Sequence, residues 1–124
     1  MKLSVLFKRI QHAVIQMPEL EEEMEIRGIT CNSQKAEEDS LFVCIQGSRQ
    51  DGHAFIREAV ERGAAAILTE KDVIDEEQIN QINNLRKVNN LRKICVLETK
   101  DTRAALASIS RQWFDNPQEN LKII

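Results

Sequence analysis

Residues 28–53 read Gly-Ile-Thr-Cys-Asn-Ser-Gln-Lys-Ala-Glu-Glu-Asp-Ser-Leu-Phe-Val-Cys-Ile-Gln-Gly-Ser-Arg-Gln-Asp-Gly-His, and the fold turns on this stretch. Leu41 to Ile45 is apolar throughout and rich in β-formers, the pattern of a strand buried on both faces. Ile26 to Ser33 reads as an earlier strand, with Ile29 and Cys31 on one face, and Lys35 to Asp39 as a charged turn between the two. Gly47 breaks the second strand, and Asp51-Gly52 opens a helix in which Asp51 is placed to accept from the first free amides. Polar clusters then fall at strand ends and at a helix start: Asn32, Ser33 and Gln34 in one, Ser48, Arg49, Gln50 and Asp51 in the other. An α/β domain commonly builds a small-molecule site at such places.

Working outward, Phe55, Ile56, Ala59 and Val60 form an apolar stripe, and Gly63 stands where a left-handed helix cap belongs. Ala64 to Thr69 is a strand of small residues suited to the middle of a sheet. Ile94 to Leu97 is another buried strand. Asp101 or Thr102 caps a helix running to about Trp113, with Ala105, Leu106 and Ile109 along one side, and Asn116-Pro117 stops it. Upstream, Leu3, Leu6, Phe7, Ile10 and Val14 have helical spacing, which predicts a helix that Pro18 ends after Met17. Glu19 to Glu25 is an acidic connector or strand edge. Ile74, Ile79, Ile82, Leu85 and Val88 have partial helical spacing. There, Asn-Leu-Arg-Lys-Val at 84–88 is nearly repeated as Asn-Leu-Arg-Lys-Ile at 90–94, each preceded by another Asn. A short tandem duplication lengthening a surface connection accounts for this, with its Arg and Lys pairs on a solvated face.

The chain has 124 residues, enough for one domain with a modest core. There is no tyrosine and few aromatics, so that core rests on Ile, Leu, Val and Ala. A net charge of -3 without a basic block argues against nucleic acid, whose binding draws on phosphate neutralisation. No apolar run reaches membrane-spanning length and no signal-peptide core opens the chain, so the expectation is a cytosolic protein. Cys31, Cys44 and Cys95 are odd in number and widely spaced, which fits reduced thiols and neither a disulfide frame nor a metal site. Each lies in an apolar run where a cysteine packs as a small hydrophobe. No Ser/His/Asp or Cys/His spacing suggests nucleophilic catalysis, and no catalytic residue is assigned. His12 falls on the polar side of the first helical pattern and is given no role.

Several of these pieces recur together elsewhere. Gly28 to Gln34, Asp39-Ser40-Leu41-Phe42-Val43-Cys44, Gly47 through Phe55 with its Asp51-Gly52-His53, and Arg62-Gly63-Ala64-Ala65 occur in this order at these spacings. Together they resemble the N-terminal domain of the Mur ligases, in particular the members that add the third residue of the peptidoglycan stem peptide. The resemblance runs from about Ile26 to the C-terminus. It implies an α/β fold: a single small domain with a mixed sheet flanked by helices. It also implies a boundary, with residues 1–120 forming the domain and residues 121–124 starting the first strand of a central domain that follows in that family.

What the resemblance implies about function is a grip on the uridine diphosphate part of a UDP-MurNAc-dipeptide. Cys31 through its backbone and Ser33 through its hydroxyl stand where the family meets the base. Ser48, Arg49 and Gln50 lie on the loop that closes over the nucleotide, Arg49 offsetting diphosphate charge, while Asp51, Gly52 and His53 shape the helix start. The residues read by themselves leave other roles open: Ser33 as a strand-ending hydrogen bond, Arg49 as a solvated arginine, Asp51 as a plain cap, His53 as structural. ATP and Mg2+ are expected for the full-length ligase, but Gly28, Gly47, Gly52 and Gly63 are too scattered to form a phosphate loop here. The chain alone is therefore expected to be inactive, a fragment or excised domain lacking the central and C-terminal domains. The family has Asp and Arg around the serine where this chain has Asn32 and Gln34, and Gly where it has Asp39. Loss of that ion pair, buried or half-buried, leaves the two amides to bond each other. It also leaves a second reading open, a diverged non-catalytic binding or interaction module of the same fold.

Overall fold

In the computed structural model of the chain, residues 2–7, 10, 13–16, 25–45, 52–70, 74–91, 93–114 and 122–123 are described. A helical turn α1 (Leu3–Leu6) precedes strands β1 (Ala13–Gln16) and β2 (Gly28–Thr30). A 3₁₀ turn (Ser33–Lys35) leads to β3 (Ser40–Val43), α2 (Gly52–Glu61) and β4 (Ala66–Thr69). Then come α3 (Glu76–Val88), β5 (Cys95–Glu98), α4 (Thr102–Phe114) and β6 (Lys122–Ile123). The six strands form one sheet in the order β1-β5-β4-β3-β2-β6. All neighbours run parallel except β1, which lies antiparallel on β5, so the sheet is mixed and helix-flanked as expected.

Strand order dictates which face each helix covers. β2, β3, β4 and β5 advance across the sheet in sequence, so right-handed crossovers carry α2 and α3 over one face. The connection from β5 returns past all of them to β6, which puts α4 on the other. The two cores divide accordingly. Phe42, Cys44, Ile67, Ile94 and Val96 pack with Ile56, Ala59 and Val60 of α2 and with Ile79 and Ile82 of α3. Ile29, Leu41, Val43, Ala66, Leu68, Cys95 and Leu97 pack with Leu3, Leu6 and Phe7 and with Ala105, Ile109 and Trp113 of α4. Odd and even positions of β3, β4 and β5 go to opposite cores, the period-two alternation of a strand covered on both sides.

The first element departs from expectation. Helical spacing over 3–17 predicts one helix, but α1 stops at Leu6 and residues 13–16 form a strand. The apolar stripe does its work as far as Leu3, Leu6 and Phe7, which are buried. Beyond it, Ala13, Val14 and Gln16 lie opposite Glu98, Leu97 and Val96, with a bulge between Val14 and Gln16. β5 would otherwise be an open sheet edge, and pairing it outweighs helical periodicity over a segment containing two β-branched residues. Glu19 and its neighbours to residue 24 lie outside the described residues.

The 75–91 region is more ordered than its spacing suggests. Asp75 accepts from the Gln78 amide at 2.8 Å while Gln78 Oε1 accepts from the Asp75 amide at 2.9 Å, a capping box that starts α3. At the other end Leu91 N donates to Arg86 O and Asn90 N to Lys87 O, with Asn90 at φ 57°. The duplicated Asn pair therefore supplies a Schellman stop, and Leu85 and Leu91 hold the positions whose side chains usually meet across one. α2 ends the same way: Gly63, at φ 113°, donates to Val60 O and Ala64 N donates to Ala59 O. A Cβ on Gly63 would stand 2.8 Å from Glu38 Cα, so both the turn and the close approach require glycine. Asp39, at φ 61°, takes the left-handed turn conformation that explains why the resembling family has glycine there.

Within the duplication, Arg86 overturns the expectation of a solvated face. It is 5% exposed, and its Nη1 donates to Ala64 O at 2.9 Å, just past the end of α2. Burial lowers its pKa from the usual arginine value, and the nearby Asp39 carboxylate opposes that shift. Arg86→Met should therefore destabilise the fold by about 1–3 kcal/mol by leaving the Ala64 carbonyl unpaired, with Lys87→Met, at an exposed position, within about 0.5 kcal/mol of wild type in urea unfolding. Gly63→Ala should cost on the order of 2 kcal/mol in the same assay.

Candidate functional site

The carboxyl ends of the parallel strands lie side by side, and every polar group singled out from the sequence belongs to the segments that leave them. β2 ends at Thr30 and turns at once. Thr30 Oγ1 donates to Asn32 O at 3.1 Å and accepts from Asn32 N at 3.0 Å. Asn32 Oδ1 accepts from the Gln34 backbone amide at 3.0 Å and so caps the 3₁₀ turn. The two replacement amides thus do not bond each other: one side chain bonds backbone. Asn32 and Gln34 are both exposed, so no buried ion pair is missing at these positions.

Cys31 was expected to pack inward, but it is exposed. The strand ends one residue before it, so the alternation that buries Ile29 no longer applies. Ser33 goes the other way. It is 4% exposed, and its Oγ donates to Glu58 Oε1 on α2 at 3.4 Å. Glu58 in turn lies 3.8 Å from Arg62 Nε, one turn further along the same helix. Ser48, Arg49, Gln50 and Asp51, and the side chain of His53, lie outside the described residues; Gly52 and His53 form the first turn of α2. The structure therefore brings Cys31, Ser33 and the start of α2 to one end of the sheet.

Three helices begin at this end, and they differ in charge. α3 carries Asp75 at its cap and Glu76 and Glu77 in its first turn. At α4, Asp101 Oδ1 accepts from Arg103 N and Ala104 N, and Glu70 Oε2 accepts from the Thr102 amide at 3.0 Å and its hydroxyl at 3.2 Å. These carboxylates already satisfy the orphan amides and oppose an anion. The first turn of α2 contains no acidic residue, nor does that of α4, and Asp51, which precedes α2, lies outside the described residues. Among the described residues, no group of three or more His, Cys, Asp or Glu side chains is placed to hold a metal ion, and no helix is long and apolar enough to cross a membrane.

Glu58 and Glu70 were not legible as site residues. Glu58 lies between Ile56 and Ala59 of the α2 stripe with only an i,i+4 Arg62 to mark it, and its contact with Ser33 spans 25 residues. Glu70 simply follows β4, and its partner is 32 residues away.

Against known proteins, the model of the Mur ligase family, catalytic domain, matches residues 25–114. The chain belongs to the Mur ligase family. It is 33% identical over its whole length to a UDP-N-acetylmuramoyl-L-alanyl-D-glutamate–2,6-diaminopimelate ligase of Clostridium perfringens, covering 22% of that protein. It is 37% identical over 99 residues to the Aquifex aeolicus protein of the same name, covering 80% of the chain and 17% of that relative. A crystal structure of MurF from Acinetobacter baumannii superposes with a TM-score of 0.60 over 93% of the chain and 21% of its own, at 24% identity, and so shares the fold. The chain thus spans about a fifth of the length of the Mur ligases it matches.

The thiols differ in environment. Cys44 and Cys95 are buried, and burial, with a smaller contribution from Glu70, pushes the Cys44 pKa up to about 11. At pH 8 the Cys44 group is held as the unreactive thiol. Iodoacetamide at that pH should add a single carbamidomethyl group, at Cys31, to the native chain and three after denaturation, read by peptide mass spectrometry.

Proposed function

We propose that this chain is the substrate-gripping part of an ATP-dependent ligase of peptidoglycan synthesis, a cytosolic enzyme acting on a UDP-MurNAc-peptide. The observation that carries this is the 33% identity over the whole chain to a UDP-N-acetylmuramoyl-peptide ligase, combined with the polar turn after β2 beside the start of α2. The base lies against Cys31 and Ser33, the first offering its backbone groups and the second its hydroxyl to uracil. The diphosphate lies at the amino end of α2, with Ser48, Arg49 and Gln50 from the preceding loop and Asp51, Gly52 and His53 at the turn itself.

On this reading the domain contributes remote binding energy. It holds a long substrate in register so that chemistry at the far peptide carboxylate proceeds elsewhere. The four glycines of this chain are too dispersed for a phosphate loop that would hold ATP. ATP and Mg2+ belong to central and C-terminal domains of a longer ligase, with residues 1–120 as the binding domain and residues 121–124 leading onward. A diverged binding module is the second reading, favoured by Asn32 and Gln34 in place of the family's charged pair.

Titrating the chain with UDP-MurNAc-dipeptide at millimolar concentration should shift the amides of Ser33 and of residues 48–53 and slow the alkylation of Cys31. Arg49→Gln should weaken UDP about tenfold while leaving uridine nearly unchanged, since only the charged diphosphate loses a charge-assisted bond. No shift at these amides would favour the second reading.

A further inference from the structure

We propose that Glu58 sets the hydrogen-bond polarity of the turn after β2 and thereby its choice of base, an inference that rests on the turn being the uridine subsite. Ser33 is 4% exposed, and its Oγ donates to Glu58 Oε1 at 3.4 Å. A hydroxyl has one proton and two lone pairs, and an ionised carboxylate has no proton to give back. Ser33 is buried while the Glu58 side chain is 38% exposed, and the Ser33 proton is directed at Glu58. What Ser33 has left for any other partner is lone pairs.

Two further polar groups of the turn are spent internally. Thr30 Oγ1 both donates to and accepts from the Asn32 backbone, and Asn32 Oδ1 holds the Gln34 amide. Arg62 Nε lies 3.8 Å from the same Glu58 oxygen. Glu58 is accordingly a positioning residue: it touches no ligand and acts through the Ser33 oxygen. A lone-pair-only oxygen pairs with the N3–H of uracil. It opposes the bare N3 of cytosine, where two acceptors would face each other. The turn is thereby a filter for a ring that donates at position 3.

UDP and CDP, titrated separately into the 124-residue chain and followed by amide shifts, test this. Wild type should bind UDP about tenfold more tightly than CDP, the worth of one hydrogen bond exchanged for an acceptor clash. Glu58→Gln can turn its amide N–H toward Ser33 and release the hydroxyl proton, so the ratio should fall below about threefold, with CDP binding improved. Ser33→Ala should lower the ratio as far without improving CDP. Thermal unfolding of both variants checks that they remain folded, and if Glu58→Gln does not, the ratio in Ser33→Ala decides. An undiminished ratio in either folded variant, with UDP still bound, overturns the role of Glu58 and leaves the uridine reading standing. Failure of wild type to bind either nucleotide overturns both.

Discussion

Burial of β4 on both faces is the constraint on which the rest of this molecule depends. Ala66, Ile67 and Leu68 are completely buried, Ala66 and Leu68 facing one core and Ile67 the other. A strand covered on both sides needs helices above and below it, and short right-handed crossovers are how a chain supplies them. The positions of α2, α3 and α4 follow. So does the alignment of strand carboxyl ends that gathers the polar turns at one edge.

The entry to β4 shows how much polar bonding this burial requires. Asp39 N donates to Gly63 O, Ala65 N to Ser40 O, Cys95 N to Ala65 O, and Arg86 reaches in from α3 to Ala64 O. A buried carbonyl left unpaired costs more than an average hydrogen bond gains, so a charged side chain in the interior is tolerated to avoid it. The same logic operates at the other end of the sheet with opposite sign. There Glu70 and Asp101 satisfy the amides that open α4, while Asn32 and Thr30 close the turn after β2.

Membership in the Mur ligase family gives this edge its context. The chain matches about a fifth of each relative's length. Ser33 illustrates the division between building and binding: its proton is used inside the domain, and its lone pairs remain.

Much of this was legible in the sequence. The apolar run at 41–45, the stripe at Ile56, Ala59 and Val60, the left-handed Gly63 and the Asp101 cap are local signals, governed by neighbours within a turn or two, and the structure has each of them. The capping box from Asp75 to Gln78 was present too, as a spacing that the weak periodicity of α3 obscured. Tertiary structure alone decided the others. Residues 13–16 pair with β5 because an open sheet edge outbids helical spacing, and Arg86 turns inward because a carbonyl 22 residues away lacks a partner. Cys31 is exposed because β2 ends one residue early, and Glu58 meets Ser33 only once α2 is packed beside the turn. Short-range rules fix caps and faces, whereas the pairing of groups far apart along the chain is settled by which of them burial brings together.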